Sequence, residues 1–135
     1  MGDLTANFST SEMRCRCGCS EVLIHRKLVE GLQTLRKISA SPIHIKSAYR
    51  CAKHNEKIGG AKKSLHLEGK AADIVIEGKT VKDMYSLAFL IPDFRNGGIG
   101  IYDGGFIHVD VRDGIARWGR VNSEYISIEK ALEVL

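Results

Sequence analysis

Apolar residues recur every three or four positions between His25 and Ser39, which is the spacing of one face of an α-helix. The pattern predicts an amphipathic helix that ends at Ser41-Pro42, because a helix does not usually continue into a proline. Gly31 weakens this helix and indicates a position of close packing. The apolar positions of the stripe are Leu28, Leu32, Leu35 and Ile38.

Strand patterns follow the predicted helix. Apolar and polar residues alternate from Ile43 to Ser47, and Ile74 to Ile76 form a β-prone run that begins next to Asp73. Three short strands are predicted over residues 99–102, 106–111 and 115–118. The sequences Asp103-Gly104-Gly105 and Arg112-Asp113-Gly114 are the turns between them.

Two further helices are predicted from their N-caps. Thr80, with Asp83 three residues later, is typical of a cap for a helix that runs to about Leu90. Ser127 is predicted to cap a closing helix, and Ser9 or Thr10 a short N-terminal one. Together the elements predict one α+β domain over residues 1–135, with helices packed on one side of a mostly antiparallel sheet.

Composition and charge narrow the class of protein. The 135-residue chain is 44% apolar and 27% charged, which is usual for a globular domain with its own core. Apolar runs stay well below the roughly 20 residues that span a bilayer, and residues 1–10 lack a secretion-signal pattern. We therefore expect neither a membrane-spanning helix nor a secretion signal. The net charge of +4 is scattered, without a basic stripe interleaved with aromatics. We therefore expect an anionic partner and no nucleic acid. We also expect a monomer.

The segment from Ser64 to Asp73 carries the first candidate chemistry. His66 and Asp73 reach one metal ion only if both ligand atoms lie about 2.0–2.2 Å from it. A continuous helix would separate the two residues by about 10 Å along its axis. The metal interpretation therefore requires the chain to double back at Glu68-Gly69, where glycine permits a left-handed turn. The alternative is a surface turn with an incidental histidine.

His108 is the candidate third ligand. In the predicted strand it shares a face with Phe106 and Asp110, whereas Ile107 and Val109 face the core. Pairing of this strand beside residues 73–76 would bring His108 to the same ion, which would complete the three protein ligands of a catalytic zinc site. Asp110 would then either orient a ligand or accept a proton from metal-bound water. The remaining histidines, His25, His44 and His54, have ordinary structural explanations.

The four cysteines leave three interpretations open. Cys15, Cys17 and Cys19 are spaced so that they share a face of an extended segment, and Cys51 lies far along the chain. Reduced thiols packed as small hydrophobic groups are favoured, because C-x-C-x-C does not match the usual zinc spacing. A disulfide to Cys51 comes second, and a structural zinc site third.

The motif Ser64-x-His66-x-x-Gly69-x-Ala71-x-Asp73 is preceded by Ser47-x-Tyr49-Arg50 and followed by His108-x-Asp110. This combination resembles the zinc D-alanyl-D-alanine carboxypeptidase and murein endopeptidase family, which shares its metal-site fold with hedgehog signalling domains. The resemblance runs from about Phe8 to Trp118. It also includes Arg50-Cys51-x-x-His54-Asn55 and Gly59-Gly60-Ala61.

The resemblance implies a role for each matching residue. It implies that His66, Asp73 and His108 bind Zn²⁺, and that Arg50 stabilises negative charge on the substrate or the transition state. It also implies that Ser64 and Tyr49 bind the substrate peptide.

One position departs from the family pattern. Many members carry Glu or Asp three residues before the last histidine as general base, and here that position is Gly105. Asp110 is our first substitute because it shares a face with His108, and Asp103 on the preceding turn is the second.

The function implied is hydrolysis of peptide bonds in bacterial peptidoglycan, by a D,D-carboxypeptidase or an endopeptidase. The alternative is a non-catalytic, zinc-containing module that binds cell wall or protein, and Gly105 is its best support. A third hypothesis treats the histidines as structural in a plain binding domain. The source is open between a phage or prophage lysin and a trimmed wall enzyme.

Overall fold

The computed structural model describes residues 2–19 and 21–135. Within those residues no helix has both the length and the apolar character of a membrane span. In chain order the elements are α1 (Thr10–Met13), α2 (Arg26–Ser39), β1 (Ile43–Ser47), α3 (Ala52–Lys57), a 3₁₀ helix (Leu65–Glu68), β2 (Ala71–Ile76), α4 (Val81–Ala88), α5 (Pro92–Arg95), β3 (Gly98–Tyr102), β4 (Phe106–Asp110), β5 (Ala116–Val121), β6 (Glu124–Ile126) and α6 (Ile128–Val134).

The helix boundaries follow from side-chain caps. The hydroxyl of Thr80 accepts the Asp83 N–H at the start of α4, and that of Ser127 accepts the Lys130 N–H at the start of α6. Both predicted caps are therefore confirmed. Helix α2 ends at Ala40, which adopts the left-handed conformation with φ of 53° before the predicted stop at Pro42.

The strands form one six-stranded sheet in the order β1-β2-β4-β3-β5-β6. Among the described residues, neighbouring strands pair antiparallel except for β3 and β5, which are parallel. The predicted α+β fold with a mostly antiparallel sheet is thus confirmed. The strand predicted over 115–118 instead runs from Ala116 to Val121 and turns into β6, which the sequence pattern did not reveal.

The hydrophobic core lies between one face of the sheet and four helices. Isoleucines of β2, β3 and β4 are fully buried against α2, α4, α5 and α6, which confirms the predicted one-sided packing of these helices. The sequence pattern did not predict helices α3 and α5. They span only 6 and 4 residues, too few for an apolar period to show. The largest buried side chains include Phe8, Phe94, Leu32, Met84, Ile74 and Ile101.

The register of the sheet places polar residues in one row on the opposite face. Asp73 of β2 pairs directly with His108 of β4, which in turn pairs with Gly100 of β3. Gly100 pairs with Trp118 of β5, so the row continues across four strands. Because successive side chains in a strand alternate between faces, this row points away from the isoleucine core. The fold therefore gathers its polar side chains over the middle of the sheet.

Gly31 fits a close contact between α2 and α5. A Cβ atom at this position would lie 2.8 Å from Cζ of Phe94, whose side chain is fully buried. This contact explains why a helix interior tolerates a residue with poor helix propensity.

We predict that Gly31→Ala lowers the free energy of unfolding by up to about 2 kcal/mol, which is the usual overpacking cost of about 1–3 kcal/mol less the gain in helix propensity. The clash outweighs the gain of about 1 kcal/mol that alanine brings to a helix interior. Urea unfolding followed by circular dichroism measures the change. Thr34→Ala on the exposed face of α2 is the matched control, and Phe94→Leu should cost less stability in the Gly31→Ala background than in the parent. A stabilised Gly31→Ala would show that the contact does not constrain the helix.

Candidate metal centre and cleft

Three side chains from two separate stretches of the chain meet above the sheet. Oδ1 of Asp73 lies 3.4 Å from Nε2 of His66 and 3.1 Å from Nδ1 of His108. The 3₁₀ helix carries His66, and Gly69 ends that helix with φ of 69°. The chain therefore doubles back at Gly69 as predicted, and β2 returns Asp73 to the same place. The structure brings together the three residues named as metal ligands.

The outer nitrogen of each histidine is fixed by an acceptor. Nδ1 of His66 lies 2.6 Å from the carbonyl oxygen of Ala48, and Nε2 of His108 lies 2.7 Å from Oδ2 of Asp110. A carbonyl oxygen and a carboxylate only accept, so each outer nitrogen donates its proton. The inner nitrogens face Asp73, so each donates to it when the ring carries a second proton and offers a lone pair to a metal when the ring is neutral. Metal-binding histidines are typically held in this way.

The spacing of these atoms fits one divalent ion. Tetrahedral zinc with ligand distances of about 2.0–2.1 Å keeps its ligand atoms about 3.3–3.4 Å apart. The two nitrogen-to-oxygen separations, 3.4 and 3.1 Å, agree with that value. All three ligand atoms lie within 4.8 Å of one another. His66, Asp73 and His108 can therefore hold a metal without rearrangement of the backbone.

The protonation of the centre reflects its burial and its contacts. Burial raises the pKa of Asp73, but hydrogen bonding to His108 and His66 outweighs burial and leaves the pKa well below its usual range. Burial lowers the pKa of His108, whereas its contacts with Asp110 and Asp73 raise it more. Asp73 is consequently an anion, and a metal ion at the centre would compete with the second proton of His108.

Asp110 lies behind His108 and not in the cleft. It is 0% exposed, and it does not line the cleft described below. The Gly98 N–H donates to Oδ1 at 2.8 Å, and Nη2 of Arg112 donates to Oδ2 at 2.6 Å. A Cβ atom at Gly98 would lie 2.2 Å from the carboxylate, so only glycine leaves room for it. Of the two roles considered for Asp110, this placement disagrees with proton acceptance and favours orientation of His108.

The second candidate base, Asp103, lies on the exposed turn between β3 and β4. Its Oδ2 accepts the Asn122 N–H at 2.8 Å, and the residue does not line the cleft. Gly105 on the same turn has φ of 85° and open space where a side chain would begin. The placement of Asp103 gives no support to a role as base.

Arg50 reaches the centre from the segment between β1 and α3. Its Nη2 lies 3.4 Å from Oδ2 of Asp73, while its Nε and Nη1 donate to Ser47 and Asn55. Asp73 thus presents one oxygen to the histidines and the other to a guanidinium. Arg50 also lines the cleft, where its charge can meet a substrate.

The two residues expected to bind substrate have different placements. Ser64 lines the cleft, and its hydroxyl accepts the His66 N–H at the start of the 3₁₀ helix. Tyr49 does not line the cleft, and its N–H donates to the carbonyl of Met13. Substrate binding by Tyr49 stays a prediction.

A cleft of about 730 Å³ opens above the centre and is strongly basic. Among the described residues, Asp73 is the carboxylate in its lining. The cations in the lining are Arg50, Lys63, Arg112 and Arg120. Because Asp73 is itself engaged by Arg50 and the histidines, the cleft presents net positive charge to a ligand.

One wall of the cleft is aromatic, and sequence reasoning missed it. The Trp118 ring lies 5.0 Å from the ring of His108, and its indole N–H donates to the Tyr102 hydroxyl at 3.0 Å. Gly100 makes room for the indole, because a Cβ there would lie 2.4 Å from Cε2. Side-chain alternation along β3, β4 and β5 could have indicated this wall, but only if the order of the strands in the sheet had been known.

The remaining histidines, His25, His44 and His54, lie outside the cleft lining, as expected.

Comparison with known proteins identifies the family. The model of the family described as Peptidase M15 matches residues 6–110. The chain is also 34% identical over 88 residues to the peptidoglycan L,D-endopeptidase MepK of Escherichia coli and to that of Shigella flexneri. The match covers 61% of this chain but 44% of those relatives, so the chain spans less than half of their length.

The matched residues contain the turn at Gly69, the three facing side chains and the strands that pair to bring them together. The family match and the geometry of the centre thus concern the same part of the molecule. On this basis the chain belongs to the peptidase M15 family.

Proposed function

We propose that this chain is a zinc-dependent peptidase that hydrolyses peptide bonds of bacterial peptidoglycan. The observation that supports it most is the Asp73 oxygen that faces one ring nitrogen of His66 and one of His108. Membership in a peptidase family gives the class of reaction. The names of the MepK relatives support the proposed substrate class.

His66, Asp73 and His108 would hold the ion through Nε2, Oδ1 and Nδ1. The chemistry that zinc supplies when bound by three protein ligands is activation of water and polarisation of the scissile carbonyl. The outer hydrogen bonds to Ala48 and Asp110 keep both rings in the orientation that this binding requires.

Arg50 is the residue that we propose to stabilise the negative charge that develops on the scissile carbonyl oxygen. Its guanidinium stays charged and is already anchored on Ser47, Asn55 and Asp73, so little reorganisation is needed during the reaction. Ser64 borders the same part of the cleft, and we propose that its hydroxyl contacts the substrate peptide.

The charge of the cleft supports an anionic substrate. Lys63, Arg112 and Arg120 line it beyond Arg50, and stem peptides of peptidoglycan carry free carboxylates. Arginine makes paired hydrogen bonds to such groups. A basic cleft beside the metal centre therefore suits a stem peptide better than a neutral cleft would.

We predict that His66→Ala lowers hydrolysis of purified peptidoglycan by orders of magnitude and removes one zinc ion per chain. The reason is that the substitution takes away one of three ligands from a buried centre. Release of soluble peptide and elemental analysis of the purified protein are the measurements. His44→Ala, at an exposed position that faces Glu77, is the matched control and should leave peptidoglycan hydrolysis and zinc content unchanged.

A His66→Ala variant with full activity and the parent's zinc content would contradict the ligand assignment. A parent protein that binds peptidoglycan and zinc but releases no peptide would instead favour the binding module. Gly105, without a side chain at the family's acidic position, is the observation in favour of that alternative.

We predict that Asp110→Asn weakens zinc affinity by about 10–100-fold, the usual effect of changing a group that orients a metal ligand. Competition with a chelator measures the affinity, and turnover is measured separately at saturating zinc. Asp103→Asn is the matched control, with both values expected near those of the parent. Unchanged affinity with strongly reduced turnover would instead assign proton transfer to Asp110.

We predict that the enzyme acts as an endopeptidase, because the relatives carry that name. Digestion of defined muropeptides followed by mass spectrometry should give two peptide fragments at early times. Free D-alanine as the first product would instead identify a D,D-carboxypeptidase.

A further inference from the structure

The four cysteines converge on one point outside the cleft. Cys15, Cys17 and Cys19 follow α1, and Cys51 precedes α3, yet their four Sγ atoms lie within 4.8 Å of one another. Gly18, with φ of 86°, lies in the turn between Cys17 and Cys19. The N-terminal thiols therefore converge through a turn, and not through the extended segment that the spacing suggested.

The sulfur separations match shared ligation better than a disulfide. Sγ of Cys15 lies 3.4 Å from that of Cys17 and 3.7 Å from that of Cys51, and Cys17 lies 3.7 Å from Cys51. A disulfide requires about 2.05 Å. Four thiolates at about 2.3 Å from a tetrahedral zinc ion lie about 3.8 Å apart. Three separations near that value in one cluster are those of a tetrahedral site.

Backbone N–H groups point at two of the sulfurs. The Cys51 N–H donates to Sγ of Cys15 at 3.4 Å, and the His54 N–H donates to Sγ of Cys51 at 3.4 Å. Such hydrogen bonds stabilise the thiolate form, which is the form that binds metal. A cation is needed if all four thiols are to lose their protons in so small a volume.

We propose that Cys15, Cys17, Cys19 and Cys51 bind a second Zn²⁺ ion, with a structural role. Four sulfur ligands leave no open position for water, which is the arrangement of structural zinc sites and not of catalytic ones. Tetrahedral sulfur sites take zinc or iron–sulfur chemistry, and the single point of convergence fits one mononuclear ion.

This ion would fasten the N-terminal segment to the segment that carries Arg50. In the segment that carries Arg50, three consecutive backbone N–H groups donate to other parts of the chain. Tyr49 donates to the carbonyl of Met13, Arg50 to the carbonyl of His66, and Cys51 to Sγ of Cys15. The backbone of Arg50 is thus held between the 3₁₀ helix of the metal centre and the cysteine cluster. Residues 14–25 contain no helix or strand among their described positions, so no helix or strand hydrogen-bond ladder holds this segment. Metal ligation supplies what regular structure does not.

Zinc content per chain tests the proposal on the whole protein, purified with reductant and equilibrated with Zn²⁺. We expect two ions in the parent, one in Cys17→Ser/Cys19→Ser and one in His66→Ala. Both cysteines of the double variant are exposed, so the substitution leaves the core intact. Arg14→Ser, exposed in the same segment, is the matched control with two ions. Because each variant loses a different ion, failure of this proposal is distinguishable from failure of the peptidase proposal.

A mercurial thiol reagent gives a readout on the parent that does not depend on how the variants fold. We expect it to release one zinc ion per chain, and to release none from Cys17→Ser/Cys19→Ser. Co²⁺ substitution of the parent should add a thiolate-to-metal charge-transfer band that the double variant lacks. One zinc ion in the reduced parent, release of no zinc by the mercurial, or iron in place of zinc would each overturn the proposal. A disulfide that persists under reductant would do the same.

Discussion

The carboxylate of Asp73 is the group on which the functional arrangement depends. One oxygen faces two imidazole rings and the other faces Arg50, so a single anion, its side chain 14% exposed, organises three neighbouring side chains. An isolated charge at this depth would be costly, and its partners offset that cost. The direct pairing of Asp73 with His108 across β2 and β4 makes the sheet register itself part of the site.

Around this carboxylate, a second layer of contacts fixes the histidines. The Ala48 carbonyl and the Asp110 carboxylate determine which ring nitrogens carry protons, and Gly98 leaves the space that Asp110 occupies. Orientation of this kind requires rigid surroundings, which the fully buried strands behind the site supply. The isoleucine core and the polar centre are thus two faces of the same strands.

The segment from Tyr49 to Cys51 connects the cleft with the N-terminal part of the chain. Arg50 contributes its side chain to the cleft, while the adjacent Cys51 contributes its thiol to the cysteine cluster. If both proposed ions are bound, a ligand of the structural site, Cys51, directly follows Arg50, the cation beside the proposed catalytic centre. The stability of the N-terminal segment and the placement of Arg50 would then be linked.

The sequence by itself determined the features that depend on local chemistry: the helix over Arg26–Ser39, the caps at Thr80 and Ser127, and the reversal at Gly69. Side-chain alternation along the strand predicted that His108 faces away from the core, and the sequence motif identified His66 and Asp73 as its partners. Tertiary structure decided the burial of Asp110, the aromatic wall at Trp118 and the meeting of Cys51 with the N-terminal thiols. Each of these depends on which distant strands and loops become neighbours. Periodicity and turn preferences depend only on residues a few positions apart, so they do not indicate which distant segments become neighbours.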